Sequence, residues 1–308
     1  MHPILFEIPG LGIPLRSFGV MLAAGFLLGS WVYTKLAERY GDDPEHDAAR
    51  YSAITMWILI GVVVGARLHY VIVQILRFDG HDLDNEDFLR HPLEAFAVWH
   101  GGLSMYGGMV GAIVFGMWKA KREKVRPLHA LDLGLIAGMV GQSVGRVGCF
   151  LVGDDYGSVV PERFQHLPWP ITLHVPDPLP DGSLFGLHNA GKVLWATENW
   201  MTVKALIVAG LGYWMLRNRR YTGQVTFVIL IAYGVLRFTV ECFRGDEIRG
   251  VWFDGAVSTS QILSVIGVAV GAAMLVLWRG RRDVLPDART RPAAAKPPPP
   301  TAKPGEIA

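Results

Sequence analysis

Long apolar segments recur along this chain of 308 residues, and they limit the folds that it can adopt. An α-helix needs about 20 mainly apolar residues to cross the hydrocarbon core of a bilayer. Seven segments of roughly that length are present: Phe18–Leu36, Tyr51–Leu76, Trp99–Trp118, Ala130–Val152, Asn199–Leu216, Gly223–Phe243 and Ser258–Trp278. The sequence therefore predicts an all-α polytopic membrane protein with about seven transmembrane helices.

Composition agrees with a membrane protein and argues against other classes. Hydrophobic residues make up 51% of the chain and charged residues 18%, whereas soluble domains carry about 25% charged residues. No basic surface with interleaved aromatic residues is visible, so we predict no nucleic-acid partner. The two cysteines, Cys149 and Cys242, fall inside predicted spans, which gives no disulfide framework. We predict neither a metal nor a cofactor. The stretch MHPILFEIPGLGIPLRSF lacks a basic region and a clear cleavage site, so we expect no signal peptide.

Basic residues predict the orientation of the spans, because cytoplasmic loops are enriched in lysine and arginine. The runs KAKREKVR, RNRRY and RGRRD follow the third, fifth and seventh spans. The alternate loops, 77–98, 153–198 and 244–257, are poorer in basic residues for their length. We therefore predict that the N-terminus lies outside and that the C-terminus lies in the cytoplasm.

Two parts of the chain differ from the apolar segments in composition. Loop 153–198 is rich in proline, aspartate and tryptophan, and it is expected to form a small extracytoplasmic head within a membrane domain of residues 1–281. Residues 282–308 are rich in proline and alanine and show no apolar periodicity. Such a composition is typical of a disordered tail, here on the cytoplasmic side.

Arginines interrupt three of the apolar segments. Arg67, Arg146 and Arg237 each lie where a predicted helix crosses the bilayer. An ionisable group at membrane depth is energetically costly and indicates a functional site. Fixed positive charge predicts an anionic partner, and the abundant anion in a membrane is a phospholipid head group. The planar fork of arginine suits phosphate because it donates two parallel hydrogen bonds.

The sixth apolar segment carries four polar residues on one side. Tyr233, Arg237, Glu241 and Arg244 are spaced by four, four and three residues, which places them on one helix face. Such a face is expected to point into the helix bundle or into a wet cavity. Two interpretations are open: an Arg237–Glu241 ion pair that locks helices together, or an arginine that glutamate orients toward phosphate.

Glycines accompany the charges in the third and fourth segments. Around Arg146, the run GQSVGRVGCFLVGDDYG predicts a ligand site or a packing seam, and Asp154 is a candidate to hold an arginine or act as a base. In VWHGGLSMYGGMVGA, the glycines predict a re-entrant or broken helix that exposes backbone donors, or simple tight packing. Tyr106 reads as an interfacial anchor, and Arg67 as an ion-pair or lipid contact. Buried Cys149 is expected to be inert.

In their order and spacing, these motifs resemble the bacterial prolipoprotein diacylglyceryl transferases over about residues 14–280. The matching residues are Phe18-Gly19, Gly65, Arg67, Gly101-Gly102-Leu103-Ser104, Gly107-Gly108, Gly145-Arg146-Val147-Gly148, Gly153, Gly157, Tyr233-Gly234, Arg237, Glu241, Arg244 and Gln261-Ile262-Leu263-Ser264. The resemblance implies a multi-pass enzyme of the bacterial cytoplasmic (inner) membrane. Its expected substrates are phosphatidylglycerol and the lipobox cysteine of a preprolipoprotein signal peptide. Transfer of the diacylglyceryl group to that cysteine would release glycerol phosphate.

The resemblance also implies roles for individual residues. Arg146 and Arg237 are expected to hold the phosphate, while Glu241 and Asp154 orient the arginines or polar groups of the substrate. The implied catalytic residues are Arg146, Arg237, Glu241 and Tyr106. The implied substrate-binding residues are Arg67, Gly101, Gly102, Ser104, Gly107, Gly108, Asp154, Gly157, Tyr233 and Arg244.

Four departures separate this chain from the typical family pattern. Tyr106 stands where a histidine is usual, Cys149 replaces an asparagine, and Phe18 replaces a tyrosine. The stretch Trp195–Trp200 replaces a His-Pro-Ser/Thr-Gln-x-Tyr motif. With a pKa of about 10, a tyrosine is a poor base for a thiol at neutral pH. The alternatives are a divergent paralogue acting on another phospholipid or acceptor, and a non-catalytic lipid-binding or transport protein.

Overall fold

Seven long helices dominate the computed structural model, which describes residues 1–8, 13–41, 43, 45–76, 88, 92–98, 101–245, 251–252 and 257–282. The helices are α1 Ser17–Tyr40, α2 Asp47–Leu76, α3 Met105–Arg122, α4 Pro127–Val152, α5 Thr197–Asn218, α6 Gln224–Glu241 and α7 Thr259–Leu277. Three antiparallel pairs of short strands accompany them: β1 Ile4–Ile8 with β2 Ile13–Arg16, β3 Thr172–His174 with β4 Val193–Trp195, and β5 Val251–Trp252 with β6 Val257–Ser258.

Five helices in the described part of the chain are long and apolar enough to cross a membrane, namely α1, α2, α4, α6 and α7. The other two carry more charge: α3 ends in Lys119, Lys121 and Arg122, and α5 contains Glu198 and Lys204. All seven helices coincide with the seven apolar segments, so the prediction of an all-α polytopic membrane protein is confirmed. The orientation in the membrane stays a prediction.

Glycine faces allow the helices to pack with their backbones in contact. Helix α1 packs against α4, and α2 packs against α3. A Cβ atom added at Gly25 would lie 2.5 Å from the carbonyl oxygen of Gly141. A Cβ atom at Gly111 would overlap the carbonyl oxygen of Gly61, and one at Gly107 would overlap that of Gly65. The structure therefore favours tight packing for the glycines of α3, and small residues at such crossings are typical of membrane helices.

A buried carboxylate fixes the turn between α5 and α6. Asp132 of α4 accepts hydrogen bonds from the backbone N–H groups of Gly223 and Thr226, each at 2.8 Å, and so caps the first turn of α6 from a distance. Arg219 lies 3.5 Å from the same carboxylate and 2.8 Å from Nδ1 of His129. One arginine of the basic run RNRRY is thus buried as a structural residue.

Residues 153–198 contribute the buried members of a small second hydrophobic core. Strands β3 and β4 contribute Leu173 and Leu194, and the other buried members are Val175, Phe185 and Ala196. The side of the membrane on which this head lies stays a prediction. The tail assigned from the sequence begins at residue 282, and residues 283–308 lie outside the described residues.

We predict that Gly111→Ala destabilises the protein by roughly 2 kcal/mol, because overpacking a tight contact typically costs about 1–3 kcal/mol. Gly108→Ala is the matched control on the same helix, since its new Cβ would meet the nearest atom at an ordinary 3.4 Å. Thermal unfolding of the two variants in detergent measures the difference. Equal midpoints for Gly111→Ala and Gly108→Ala would contradict this account of the α2–α3 crossing.

Candidate active site

The end of α4 turns a carboxylate back toward the arginine in its last turns. Gly153 caps the helix with φ 77°, and its N–H donates to the carbonyl of Cys149 at 2.8 Å. Asp155 is also left-handed, with φ 59°, a conformation that aspartate tolerates better than most residues. The reversal brings Oδ2 of Asp155 onto Nη1 of Arg146 as an ion pair.

The same carboxylate also binds a second arginine from beyond α6. Oδ1 of Asp155 accepts from Nη2 of Arg244, so one aspartate bridges two guanidinium groups. An isolated β-bridge between Gly157 and Arg244 aligns the two segments, and Ser158 N–H donates to the carbonyl of Phe243 at 2.8 Å. A Cβ at Gly157 would overlap the backbone of Trp195. The close approach of the Trp195 backbone therefore explains why residue 157 is a glycine. Its predicted contact with substrate stays a prediction.

A third arginine lies on α6 and extends the cluster. Arg237 Nη2 is 2.8 Å from Oε2 of Glu241 and donates to Oγ of Ser260 at 3.0 Å. Its Nη1 lies 3.9 Å from Sδ of Met201. Glu241 also lies 3.7 Å from Nη1 of Arg244, which completes a chain of alternating charges. The chain runs Arg237, Glu241, Arg244, Asp155, Arg146 and joins α4 to α6.

This arginine cluster lies in a buried place. Its ion pairs join three arginines and two carboxylates, and the carboxylate of Asp154 lies close to that of Asp155. Arg237 is only 6% exposed and Glu241 only 1%. Burial by itself would raise the pKa of the Asp155 carboxyl, but Arg146 and Arg244 outweigh it and hold that pKa below its ordinary value. Guanidinium groups fixed in such a buried site interact with an anion more strongly than they would in water.

The acid that holds Arg146 differs from the one expected from the sequence. Asp154 was the candidate, but the carboxylate that bridges Arg146 and Arg244 belongs to Asp155. Oδ1 of Asp154 accepts the N–H of Asp155 at 2.9 Å. Cys149 Sγ and both carboxylates lie within 4.8 Å of one another, a spacing that could hold a cation. Because two guanidinium groups already bind Asp155, this arrangement does not favour a metal.

Arg67 lies apart from the arginine cluster, and its side chain donates hydrogen bonds to backbone carbonyls. Its Nε donates to the carbonyl of Ala95 at 2.9 Å, its Nη1 to that of Gly101 at 2.8 Å, and its Nη2 to that of Glu94 at 2.6 Å. The 3-10 turn Pro92–Phe96 and the glycine loop are thereby tied to α2. The sequence suggested an ion pair or a lipid contact, whereas these donors are directed at protein carbonyls.

The glycine segment divides into a loop and a helix. Gly101 and Gly102 have φ values of 91° and 68°, so they cannot belong to a helix, and α3 begins at Met105 rather than at Trp99. Ser104 N–H donates to the carbonyl of Ala66 at 3.1 Å. Within the described residues the segment is thus a loop followed by a helix, and the exposure of its backbone donors to a ligand stays a prediction. Trp99 and His100 lie outside the described residues.

Three predicted residues of α3 can now be placed. Gly107 faces Gly65 of α2, and Gly108 packs at ordinary distance from the same helix. Their contact with substrate stays a prediction. Tyr106 is half-buried in the first turn of α3. Within the described residues, no hydrogen bond or ring contact joins Tyr106 to the arginine cluster. Its catalytic role stays a prediction.

Helix α5 contributes groups that the sequence reasoning missed. Thr197 Oγ1 donates to the carbonyl of Asp155 at 2.8 Å and so supports the reversed turn. Glu198 is fully buried, and Lys204 is 3% exposed with Nζ 3.9 Å from the ring centroid of Tyr233. Among the described residues, neither charged group has a hydrogen-bond partner. The sequence could have revealed both residues. Lys204 interrupts the apolar segment Asn199–Leu216, as Arg146 interrupts its own, and Glu198 directly precedes that segment.

Comparisons with known proteins agree with this arrangement. A family model described as prolipoprotein diacylglyceryl transferase matches residues 3–277. The chain belongs to this family. Curated relatives named phosphatidylglycerol–prolipoprotein diacylglyceryl transferase include one from Vibrio cholerae, 31% identical over 289 residues and covering 93% of this chain and 94% of that protein. Another, from Rhodospirillum centenum, is 30% identical over 270 residues, 86% of this chain and 87% of that protein.

The departures of this prolipoprotein diacylglyceryl transferase homologue have structural consequences. Cys149, in place of the usual asparagine, lies with Sγ 3.8 Å from Nη1 of Arg146. Trp195 and Trp200 replace the ends of the family's polar motif, which runs from β4 into the first turn of α5. Their rings pack on Phe243, with centroids 5.7 and 5.3 Å away. Phe243 directly precedes Arg244, so an aromatic cluster now supports the segment that carries this arginine.

We predict that Asp155→Asn lowers both stability and activity, while Asp154→Asn changes stability far less. Removing one partner of a buried ion pair typically costs about 3–5 kcal/mol, because the opposite charges remain buried. Here two guanidinium groups would be left facing one another. Thermal unfolding of both variants in detergent provides the measurement. A larger loss for Asp154→Asn would show that the bridging carboxylate has been misassigned.

The depressed pKa of Asp155 predicts a pH dependence that Asp155→Asn removes. A carboxyl group whose folded pKa lies below its unfolded value of about 3.9 contributes its stability fully above that pH. The contribution is lost as the pH falls through the folded value. We therefore expect the midpoint difference between the native chain and Asp155→Asn to be steady near neutral pH and to shrink below about pH 4. A difference that grew in acid would contradict the assignment.

Proposed function

We propose that this protein transfers the diacylglyceryl group of phosphatidylglycerol to the lipobox cysteine thiol of prolipoproteins and releases glycerol phosphate. The observation that carries the proposal is the buried arginine cluster around Asp155, in a chain that belongs to this transferase family. The donor lipid and the acceptor named in the curated relatives are the substrates that such a site would need.

The bond changes explain why arginines are needed. The acceptor thiol loses its proton, its sulfur bonds to a glycerol carbon of the lipid, and the bond from that carbon to the phosphate oxygen breaks. The electron pair stays on the departing phosphate, which gains negative charge. Arg146 and Arg237 are proposed to stabilise that charge, because preorganised donors in a water-poor site commonly supply the largest catalytic contribution.

The acids of the cluster are proposed to position the arginines. Glu241 holds Arg237 at 2.8 Å, and Asp155 holds Arg146 and Arg244. Because these carboxylates fix the guanidinium groups before substrate arrives, little reorganisation is needed during the reaction. Arg67 is proposed to act indirectly, by holding the Gly101–Gly102 loop in place.

An apolar groove beside the cluster suits the lipid donor. A cavity of about 360 Å³ lies between α5 and α6 and is lined by residues such as Ile207, Leu211, Val228 and Ile231. Val235 and Leu236 also line it, and they directly precede Arg237 on α6. An acyl chain in this groove would bring its head group toward the arginines, which fits entry of the lipid sideways from the bilayer.

The thiol needs no strong base for this reaction. Tyr106 stands where the family typically has a histidine, so the imidazole nitrogen that could accept the thiol proton is missing at this position. A free thiol with a pKa of about 8.5 is already a few per cent ionised, and its thiolate is a good nucleophile. We place the proposed reaction in a bacterial cytoplasmic membrane. The acceptor is the cysteine of the signal peptide.

We predict that the purified protein attaches diacylglyceryl to the cysteine of a synthetic lipobox peptide when phosphatidylglycerol is supplied. Arg146→Ala and Arg237→Ala should each lower the rate by about 10²–10³-fold, the effect of removing a donor to a developing oxyanion. Arg146→Lys should keep part of the activity, because a point charge cannot replace the two-pronged fork. Mass spectrometry of the peptide measures the adduct.

Arg217→Ala provides the matched control, since Arg217 is an exposed arginine in the last turn of α5. It should leave the rate unchanged. Full activity in Arg146→Lys would contradict the two-pronged contact with phosphate. Absence of any adduct with the native chain, together with retained binding of phosphatidylglycerol, would instead favour a paralogue with another acceptor or a lipid-binding protein.

A further inference from the structure

Lys204 occupies a place where a positive charge is expensive. It lies on α5, its side chain is buried, and only 3% of the residue is exposed. Within the described part of the chain, its ammonium group has no hydrogen-bond partner. Among the described residues, the ammonium group lies over the face of Tyr233, with 3.9 Å from Nζ to the ring centroid. The attraction of a cation to a ring does not replace three lost hydrogen bonds to water.

The register of α5 against α6 places this lysine beside the arginine cluster. Met201 and Lys204 are three residues apart on one face of α5, and both are buried. Met201 Sδ lies 3.9 Å from Nη1 of Arg237, while Lys204 lies over Tyr233, one turn from Arg237 on α6. The two contacts are one helical turn apart on each of the two helices. Lys204 is therefore about one helical turn, or roughly 5 Å, from the level of Arg237.

When no anion is bound, the neighbouring charges further destabilise the ammonium group of Lys204. Arg237, Arg146 and Asp155 all lie within electrostatic range of its ammonium group, so two cations oppose a single acid. That acid is already shared by Arg146 and Arg244. By contrast, Arg237 directs its described contacts at Glu241, Ser260 and Met201. The lysine thus offers unused donors at a site whose arginines are already held by protein groups.

We propose that Lys204 is a third phosphate-binding cation, which donates to the head-group phosphate of the diacyl phospholipid held by Arg146 and Arg237. The proposal rests on the proposed function for the identity of the lipid, and it adds a binding residue from α5. Tyr233 serves as the platform that keeps the ammonium group aimed into the site. A compact ammonium suits this place because it can turn its three donors toward phosphate oxygens as the lipid settles.

Lys204→Met is the decisive variant, since it keeps an unbranched apolar stem and removes only the charge. The full-length protein in detergent would be titrated with short-chain phosphatidylglycerol, and diacylglycerol with the same chains would serve as the probe without phosphate. We expect about a tenfold or greater loss of affinity for phosphatidylglycerol, the usual worth of a charge-assisted hydrogen bond, with diacylglycerol unaffected. In the transfer assay, KM for the lipid should rise by a similar factor.

Two further variants separate binding from structure. Lys192→Met removes an exposed lysine of the head and should change neither affinity nor KM. Lys204→Arg should lose less affinity than Lys204→Met, because it keeps the positive charge although its planar guanidinium is bulkier than an ammonium group. Without lipid, Lys204→Met should unfold at the same or a higher temperature than the native chain, since it removes a buried charge that lacks a partner. A clearly lower midpoint would indicate a structural lysine and overturn the proposal.

The outcomes also separate this inference from the proposed function. Native protein that binds phosphatidylglycerol without transferring it would refute the transferase while leaving the role of Lys204 to be decided by affinity. Transfer with an unchanged KM and affinity in Lys204→Met would refute the role of Lys204 alone. A fall in kcat at constant affinity would assign the lysine to proton transfer and overturn phosphate binding. Inorganic phosphate provides a last probe. If Lys204→Met weakened the binding of inorganic phosphate but not that of phosphatidylglycerol, the ligand of Lys204 would not be the lipid head group.

Discussion

One carboxylate, that of Asp155, holds the functional end of this protein together. It binds Arg146 from α4 and Arg244 from beyond α6, and without it two buried guanidinium groups would repel one another. The left-handed turn that begins at Gly153 and the hydrogen bond from Thr197 both serve to keep this carboxylate in place. Buried ion pairs of this kind contribute little net stability, but they define geometry, because losing one partner is costly.

Two acids fix the three arginines of the cluster by direct ion pairs. Glu241 pairs with Arg237, and Asp155 pairs with Arg146 and Arg244, so the guanidinium donors are in position before an anion arrives. Catalysis requires interactions that strengthen as the reaction proceeds, and the phosphate, which carries one negative charge in the bound lipid, gains further charge as it departs. Preorganised cations therefore favour the transition state over the bound lipid.

Sequence patterns predicted the helices and the buried arginines because both depend on local and average properties. An apolar run of sufficient length defines a span, and a charge within it is conspicuous whatever its neighbours. The choice between Asp154 and Asp155 could not be predicted, because it depends on two left-handed residues after α4. Likewise, packing of Gly107 on α2 depends on how two helices cross, and spacing alone does not distinguish that from exposure to a ligand.

Helix α5 shows how a family site can keep its chemistry while its residues change. Where polar family residues are missing, Trp195 and Trp200 build an aromatic support for the segment that ends in Arg244. Charge enters instead at Glu198 and Lys204, which makes α5 less apolar than the five helices that meet the criteria for a span. A bilayer helix tolerates such groups only when something offsets their desolvation. For Lys204 the group that offsets desolvation is the proposed phosphate of the bound lipid. A buried ammonium group without a protein partner therefore favours lipids that carry a phosphate over lipids that do not.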